Sequence, residues 1–458
     1  MPHNSGIMSA PGQAISIGPV AREDRIAGLD ALRGVALLGI LLMNIAGFAF
    51  HPATYDDPTV AGGSTGANLW FWIVNHILFE GKMRALFSML FGAGVLVLTE
   101  RGEAKGVSMA DIYYRRLLWL LLFGIAHAYL LWYGEILYPY ALCGLVLYPF
   151  RKMRARGLII IAGISLALMT AFMTFDAFEK RDQKQKAVQA ARLLLDGKPL
   201  SEELKKADEK YRAEQKENKP NAAQVKEDDA KWTGGFVSAL KRRAEIVMMW
   251  HGMPLYMAWN FDLFAMMFLG MALFQLGILS GRRSMGFYAK LALIGYGIGI
   301  PLHSYTASQI VASNFDSVTH AFAVIPYEFG RTVVALGHMS VLFVVMKAGL
   351  LRWLTSALAA VGQMAFTNYL MQSVICYTIF YALGWHGKLQ RIDTLYILLA
   401  IWTLQLIVSP LWLRSFRFGP LEWVWRSLTY WKRQPFRLNP APAAVPDLDM
   451  PTPAVAGE

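Results

Sequence analysis

Residues 28–50 read GLDALRGVALLGILLMNIAGFAF, an apolar run long enough to cross about 30 Å of hydrocarbon as a helix. Arg22 and Arg25 precede this run, whereas the loop over residues 51–68 carries two aspartates and no lysine or arginine. Positive loop charge concentrates on the cytoplasmic side of a membrane. The run therefore predicts a membrane-spanning helix whose N-terminal end faces the cytoplasm.

The composition of the whole chain agrees with this first segment. Of 458 residues, 55% are hydrophobic and only 17% are charged, and the mean hydropathy is +0.36. Soluble domains carry about 25% charged residues, so a soluble globular or disordered chain is excluded. The two cysteines and the absence of Cys-x-x-Cys or His-x-x-x-His spacing predict neither a disulfide framework nor a metal site. The composition predicts an all-α polytopic membrane protein.

The net charge of +12 reflects membrane topology rather than binding to nucleic acid. Residues 176–243 hold 17 of the 44 lysines and arginines and 13 of the 32 acidic residues. Most remaining cations flank apolar segments, where cytoplasmic loop charge belongs. No nucleic-acid partner is therefore expected.

Nine further apolar segments follow the first one, and the loops that carry clustered arginine and lysine alternate along the chain. Ten spans with both termini in the cytoplasm account for this alternation, which predicts a multi-pass protein of the bacterial cytoplasmic (inner) membrane. The nine segments are 69–99, 117–133, 136–150, 157–175, 252–280, 287–303, 327–347, 355–383 and 394–413.

The spans divide the chain into two membrane halves, 25–175 and 244–434, with terminal tails at 1–24 and 435–458. The charged insert between them, residues 176–243, is rich in Lys, Glu, Gln and Ala and predicts one or two helices. The parity of the spans places this insert outside the cytoplasm, and loops of about 60 residues translocate largely regardless of charge. Because it has little apolar surface to bury, we expect it to be dispensable for folding.

Short motifs occur in order along the two membrane halves. Together they resemble the YeiB family of bacterial membrane proteins, whose members carry a C-terminal DUF418 domain. The resemblance covers residues 25 to 435 apart from the insert. The motifs are LDALRG (29–34), LGILLMNI (38–45), FEGKMRALFS (79–88), LFG (90–92), GIAH (124–127), WYGEIL (132–137), TNYLMQS (367–373) and RFGPLEW (417–423).

The first helix of this family resembles that of the membrane acyltransferases related to heparan-glucosaminide acetyltransferase and of the acyltransferase-3 proteins. This resemblance implies transfer of an acyl group from a cytoplasmic acyl-CoA-type donor to a lipid, sugar or other small-molecule acceptor, with no permanently bound cofactor. Acyltransferase-3 proteins place a histidine eleven residues after the arginine of helix one, where this chain has Asn44. The heparan-glucosaminide enzymes keep asparagine there and place their histidine further on, near His51 in a loose alignment. Membrane lipids are expected partners, and a homo-oligomer is allowed.

Asp30, Arg33 and Asn44 fall on one stripe of the first helix. Charges inside a membrane are costly, so Asp30 and Arg33 are expected to face protein or water. They are interpreted either as a structural ion pair or as a wall of a donor pocket, in which Arg33 would bind a phosphate or carboxylate.

His127 and Glu135 are the candidate catalytic residues. A carboxylate that orients an imidazole produces a general base near neutral pH. Eight residues along one straight helix are too many for direct contact, so the two side chains are expected to serve a shared cavity. The alternative is a histidine whose hydrogen bonds are satisfied by a neighbouring helix.

Ionisable residues also interrupt the second span. His76 and Glu80 form an i, i+4 pair, and Gly81, Lys82 and Arg84 follow. So many charges at that depth predict a broken or cavity-lining helix. We expect Lys82 and Arg84 to bind the negative charge of the donor together with Arg33, in one cavity lined by the first three spans.

Further polar residues lie in the C-terminal half. Glu328, Arg331 and His338 form a second stripe, and Asn368 and Gln372 add amides to the ninth predicted span. We include Arg331, His338, Asn368 and Gln372 among the cavity residues. The alternative for the amides is that they join helices, at about 0.6 kcal/mol each.

Two classes of function fit these patterns. An integral-membrane acyltransferase fits the resemblance of the first helix and the buried histidine and carboxylates. A transporter or exporter of a small anionic or amphipathic solute fits the same intramembrane charges and the broken helix. Many transporters contain internal repeats, and this chain shows none. The absence of a repeat favours the enzyme. A scaffold without chemistry would leave the buried charges unexplained.

Overall fold

A computed structural model describes residues 25–104, 106, 108–251 and 261–438. These residues form α-helices joined by short loops, which confirms the predicted all-α class. The helices are α1 (Ala27–Ala49), α2 (Gly66–Leu78), α3 (Lys82–Glu103), α4 (Ala110–Leu130), α5 (Leu137–Leu147), α6 (Ala155–Leu195), α7 (Glu202–Asn218), α8 (Ala222–Thr233), α9 (Phe236–His251), α10 (Phe261–Gln275), α11 (Met285–Ala312), α12 (Ser317–Val324), α13 (Tyr327–Lys347), α14 (Arg352–Gln363), α15 (Ala365–Cys376), α16 (Asp393–Ser415) and α17 (Pro420–Tyr430).

Six segments within the described residues are long and apolar enough to cross a membrane. The other predicted spans coincide with α4, with α5, with α10 and with the pair α14–α15, and the full count of ten stays a prediction. Residues 252–260 of the sixth predicted span lie outside the described residues. The six segments are Ala27–Ala49, Gly66–Glu100, Ala155–Leu195, Met285–Ala312, Tyr327–Lys347 and Asp393–Ser415.

Glycines bring helices of the two membrane halves into backbone contact. A Cβ at Gly34 of α1 would collide with the backbone oxygen of Leu358 in α14, and one at Gly92 of α3 would collide with that of Met267 in α10. Small residues allow this close approach, which is how helices commonly associate in membranes. The N-terminal and C-terminal halves therefore form one interleaved bundle.

The second predicted span is broken, as its charges indicated. Helix α2 ends at Leu78 and α3 begins at Lys82. Gly81 between them has φ +68°, and a Cβ at this position would collide with the hydroxyl group of Tyr327. Glycine is the residue that adopts this left-handed conformation without steric cost.

The charged insert packs against one end of the bundle through a small number of side chains, and its dispensability for folding stays a prediction. Lys184 of α6 pairs with Asp316 at 2.5 Å. Trp232 of α8 is 1% exposed and stacks on Tyr381, with 4.8 Å between the ring centroids. Arg243 of α9 is fully buried and donates to backbone carbonyl groups at the end of α4. The sequence average of the insert is polar, but its last two helices carry the side chains that anchor it.

Candidate functional site

His127 and Glu135 contact each other directly, with 2.5 Å between Nδ1 and Oε2. The expectation that they are too far apart assumed one continuous helix. Helix α4 ends at Leu130, and the chain reverses before α5 begins at Leu137. The reversal returns Glu135 to the level of His127, one turn before the end of α4.

A second hydrogen bond extends this pair to Ser373 of α15, whose Oγ lies 2.8 Å from Nε2 of His127. All three residues are buried, at 2%, 8% and 3% exposure for His127, Glu135 and Ser373. Ser373 is 246 positions away from His127 in the sequence, and no spacing rule links them. The one sequence feature that could have pointed to Ser373 is its position at the end of the TNYLMQS motif.

The hydrogen bonds of Glu135 determine the donor and the acceptor in each contact between Glu135, His127 and Ser373. Its Oε1 accepts hydrogen bonds from the backbone N–H groups of Leu137 and Tyr138. With these two donors on Oε1, the other carboxylate oxygen is the acceptor for the Nδ1–H of His127. The Nε2 of the neutral imidazole is left as an acceptor for the Ser373 hydroxyl group. The arrangement can remove a proton from a hydroxyl group.

A cavity of about 250 Å³ runs between α1, α3, α4, α5 and α15. At one end, which we call the arginine end, it is lined by Arg25, Arg33, Arg116 and Arg426. At the other, which we call the tyrosine end, it is lined by Ile136, Leu137 and Tyr369. The Tyr369 ring also packs against His127, with 5.1 Å between the ring centroids. The cavity thus reaches the ring that covers the buried imidazole.

The arginine end carries more positive than negative side chains. Asp30 accepts from Arg25 at 2.8 Å and from Arg33 at 2.7 Å, so the predicted Asp30–Arg33 pair exists. Burial, and then repulsion from Arg116 and Arg25, lowers the pKa of Arg426 to about 10. Such mutual repulsion among guanidinium groups indicates a place that an anion would stabilise.

The acidic residue Glu422 also lines the arginine end, but its carboxyl group is hydrogen-bonded to backbone N–H groups. It accepts hydrogen bonds from the N–H groups of Phe366 at 2.7 Å and Thr367 at 3.1 Å, at the start of α15. Burial raises the pKa of this carboxyl group. Glu422 therefore positions the helix that carries Tyr369 and Ser373.

His76, Glu80, Lys82 and Arg84 do not join this cavity, so the expectation of one cavity shared by the first three spans is wrong. His76 and Glu80 pair at 2.5 Å, and the Lys82 ammonium group donates to the backbone carbonyl group of His76 at 2.6 Å. Arg84 pairs with Asp262 of α10 at 2.5 Å. The break after α2 directs these side chains towards α10 and α13 instead.

Arg331 completes this second cluster. Its guanidinium group contacts Asp262 at 2.7 Å and Glu328 at 2.6 Å and is fully buried. The hydroxyl group of Tyr140 donates to the backbone carbonyl group of Arg84 at 3.1 Å, and Tyr140 lines the cavity on its other side. The two polar regions are therefore neighbours separated by Tyr140.

The remaining predicted residues join helices rather than line the cavity. His338 bonds to a tyrosine hydroxyl group of α11 and to a carbonyl group at the end of α2, both at 2.7 Å. Asn368 donates to Ser409 of α16, and Gln372 donates to Gln405 of the same helix. Asn44 is half-buried on α1. The contacts of Asn368 and Gln372 therefore agree with the alternative prediction, in which the two amides join helices.

Comparison with known proteins gives consistent matches over nearly the whole chain. The family described as "Protein of unknown function (DUF418)" matches residues 273–432. "Uncharacterized protein YxaH" of Bacillus subtilis is 33% identical over 92% of this chain and 98% of its own length. "Uncharacterized protein YeiB" of Escherichia coli is 31% identical over 89% of this chain and 96% of its own length. No solved structure matches the chain.

Proposed function

The chain belongs to the YeiB family of DUF418 membrane proteins, and we propose that it is an integral-membrane acyltransferase. The proposed reaction moves an acyl group from an acyl-CoA-type donor to a lipid or sugar acceptor. The observation that carries the proposal is the His127–Glu135 pair beside a cavity whose other end is lined by arginines. A base and an anion site joined by an apolar channel suit a long donor with a charged head.

The donor would lie along the cavity with its phosphate groups at the arginine end. Guanidinium groups bind phosphate oxygens through paired, charge-assisted hydrogen bonds. The walls between the two ends include Leu37, Phe91 and Leu120, which suit an uncharged arm. The acyl carbonyl group would then reach the tyrosine end. In this proposal the arginine end faces the cytoplasm of a bacterium and the protein lies in its inner membrane, with both termini cytoplasmic.

His127 would act as the general base. Acyl transfer to a hydroxyl group requires removal of its proton, and a neutral imidazole held by a carboxylate does this near neutral pH. Asn44 cannot take this role because an amide does not accept a proton near neutral pH.

The test uses purified protein in lipid with radiolabelled acetyl-CoA and a membrane-lipid extract. We expect labelled lipid or glycolipid with the wild type and a loss of about 10²–10⁴ in rate for His127→Ala. His338→Ala is the matched control, since this histidine is hydrogen-bonded in the same bundle but lies outside the cavity. Equal labelling by wild type and His127→Ala would remove His127 from the mechanism.

The second candidate is a transporter of a small anionic or amphipathic solute. It is favoured by the broken helix at Gly81 and the buried His76–Glu80 pair beside it, features that suit ion-coupled transport. Substrate-dependent flux into proteoliposomes, with no labelled product from acetyl-CoA, would support transport over acyl transfer. His76→Ala should then abolish the flux.

A further inference from the structure

We propose that Ser373 is the nucleophile of the reaction and that the acyl group is held on its Oγ as an ester before the acceptor receives it. This inference rests on the proposed acyl transfer and adds a covalent intermediate to it. It makes Ser373, His127 and Glu135 a nucleophile, a base and an orienting carboxylate, the roles found in hydrolytic triads on unrelated folds.

The hydrogen-bond geometry supports the order of these roles. Ser373 Oγ lies 2.8 Å from His127 Nε2 and 3.4 Å from the backbone oxygen of Tyr369 one turn earlier. The shorter contact favours the imidazole as the acceptor of the hydroxyl proton. On the opposite side of the ring, Nδ1 donates to Glu135 at 2.5 Å. A purely structural serine needs no such carboxylate behind its partner.

The size of the cavity also favours a covalent intermediate. Its volume of about 250 Å³ is below the range of roughly 300–1,000 Å³ that is usual for ligand sites. A cavity of this size suits one substrate at a time. An acyl-serine allows the donor to leave before the acceptor enters.

Tyr369 stands between the cavity and the nucleophile. It lines the tyrosine end, lies four residues before Ser373 on α15, and packs on the His127 ring. The donor thioester reaches Oγ when the Tyr369 side chain rotates away from the cavity end.

Acyl transfer through Ser373 takes two half-reactions. Ser373 Oγ attacks the thioester carbonyl carbon, its proton passes to His127 Nε2, the C–S bond breaks, and the proton leaves with the thiolate sulfur. In the second half, an acceptor hydroxyl group gives its proton to Nε2 and attacks the ester carbonyl carbon. The C–Oγ bond then breaks, and Oγ regains a proton from Nε2.

The experiment incubates purified protein in lipid nanodiscs with radiolabelled acetyl-CoA alone, denatures it, and maps the label by peptide mass spectrometry. We expect one acetyl group on the peptide that contains Ser373, and this ester should resist neutral hydroxylamine. Ser373→Ala should lose the label, whereas Ser373→Cys should carry a thioester that hydroxylamine removes. Ser340→Ala is the control, because Ser340 is fully buried in α13 and has no hydrogen-bond partner among the described residues.

The failure of this inference is distinguishable from failure of the acyltransferase proposal. If the wild type acetylates the lipid extract but carries no label, or if Ser373→Ala transfers at the wild-type rate, direct transfer replaces the acyl-serine. Label on Cys143 or Cys376 would likewise overturn it. If acetyl-CoA is neither bound nor consumed, the acyltransferase proposal fails together with the nucleophile.

Discussion

His127 and Glu135 are joined at 2.5 Å because the chain reverses direction between α4 and α5. The carboxylate is held in place by two backbone N–H groups at the start of α5, so the imidazole is oriented by the fold rather than by a flexible side chain. A base prepared in this way needs little reorganisation when a reaction begins.

Replacing Glu135 with glutamine should slow acyl transfer by at least about 10²-fold, since the imidazole loses the carboxylate that fixes its tautomer. The affinity for CoA should stay unchanged, because Glu135 lies away from the arginine end. Single-turnover rates and CoA titrations separate the two effects. Glu103→Gln, at an exposed surface pair, is the control. Equal losses of rate and affinity would indicate a structural role instead.

Removal of a guanidinium group from the arginine end should weaken CoA binding. A charge-assisted hydrogen bond contributes about 1.5–3 kcal/mol, so Arg116→Ala and Arg426→Ala should each raise the Kd roughly 10- to 150-fold. The affinity of the wild type should also fall with added salt. Isothermal titration in nanodiscs measures both. Lys152→Ala, at a side chain that is 71% exposed, should change little. Unchanged affinity in both arginine variants would place the donor elsewhere.

The second polar cluster should matter for stability. Arg331→Met leaves the carboxylates of Asp262 and Glu328 without their shared partner, at an expected cost of about 3–5 kcal/mol in the free energy of unfolding. Neutralising Glu328 in the same protein, with Glu328→Gln, should recover most of this loss, because Asp262 keeps its ion pair with Arg84. Thermal unfolding in detergent provides the measurement. Arg212→Ala, at an exposed pair in the insert, is the reference, and an equal effect there would contradict the argument.

The insert should detach when its aromatic anchor is removed. Trp232→Ala deletes a fully buried side chain, which typically costs about 3–5 kcal/mol. Limited proteolysis should then cleave between α7 and α9 much faster than in the wild type. Trp353→Ala, at a tryptophan that is 72% exposed, is the matched control. Equal protection of both variants would mean that the insert is held by its ion pairs.

The folded state should also lose stability at acidic pH. Burial lowers the pKa of His51 despite the nearby Asp228 and Asp229, and Arg242 and His386 act in the same direction as burial. The folded state therefore prefers neutral His51, and stability is lost as the pH falls below the unfolded value of about 6.5. The unfolding temperature should drop between about pH 7.5 and pH 5.5. The drop should be smaller in His51→Gln, and equal drops would exclude His51 as the cause.

The helical class, the six long apolar segments and the break at Gly81 follow from hydropathy and from the cost of charge in a membrane. The Asp30–Arg33 pair follows from helical spacing. Contacts across the bundle do not follow from local sequence. Ser373 contacts His127 because α15 packs beside α4, and the local sequence carries no information on how these two helices align. The sequence predicts Lys82 and Arg84 in the wrong region, since spacing cannot show where a helix turns after a break.

The glycine contacts between α1 and α14 and between α3 and α10 restrict how this protein can move. Where two backbones touch without side chains between them, the helices can move at that crossing only by separating, so each crossing favours a fixed arrangement of the two halves. Rocking of one half against the other, which many transporters use, is opposed by both crossings. In that arrangement, access to the interior depends on individual side chains such as Tyr369 at the end of the cavity.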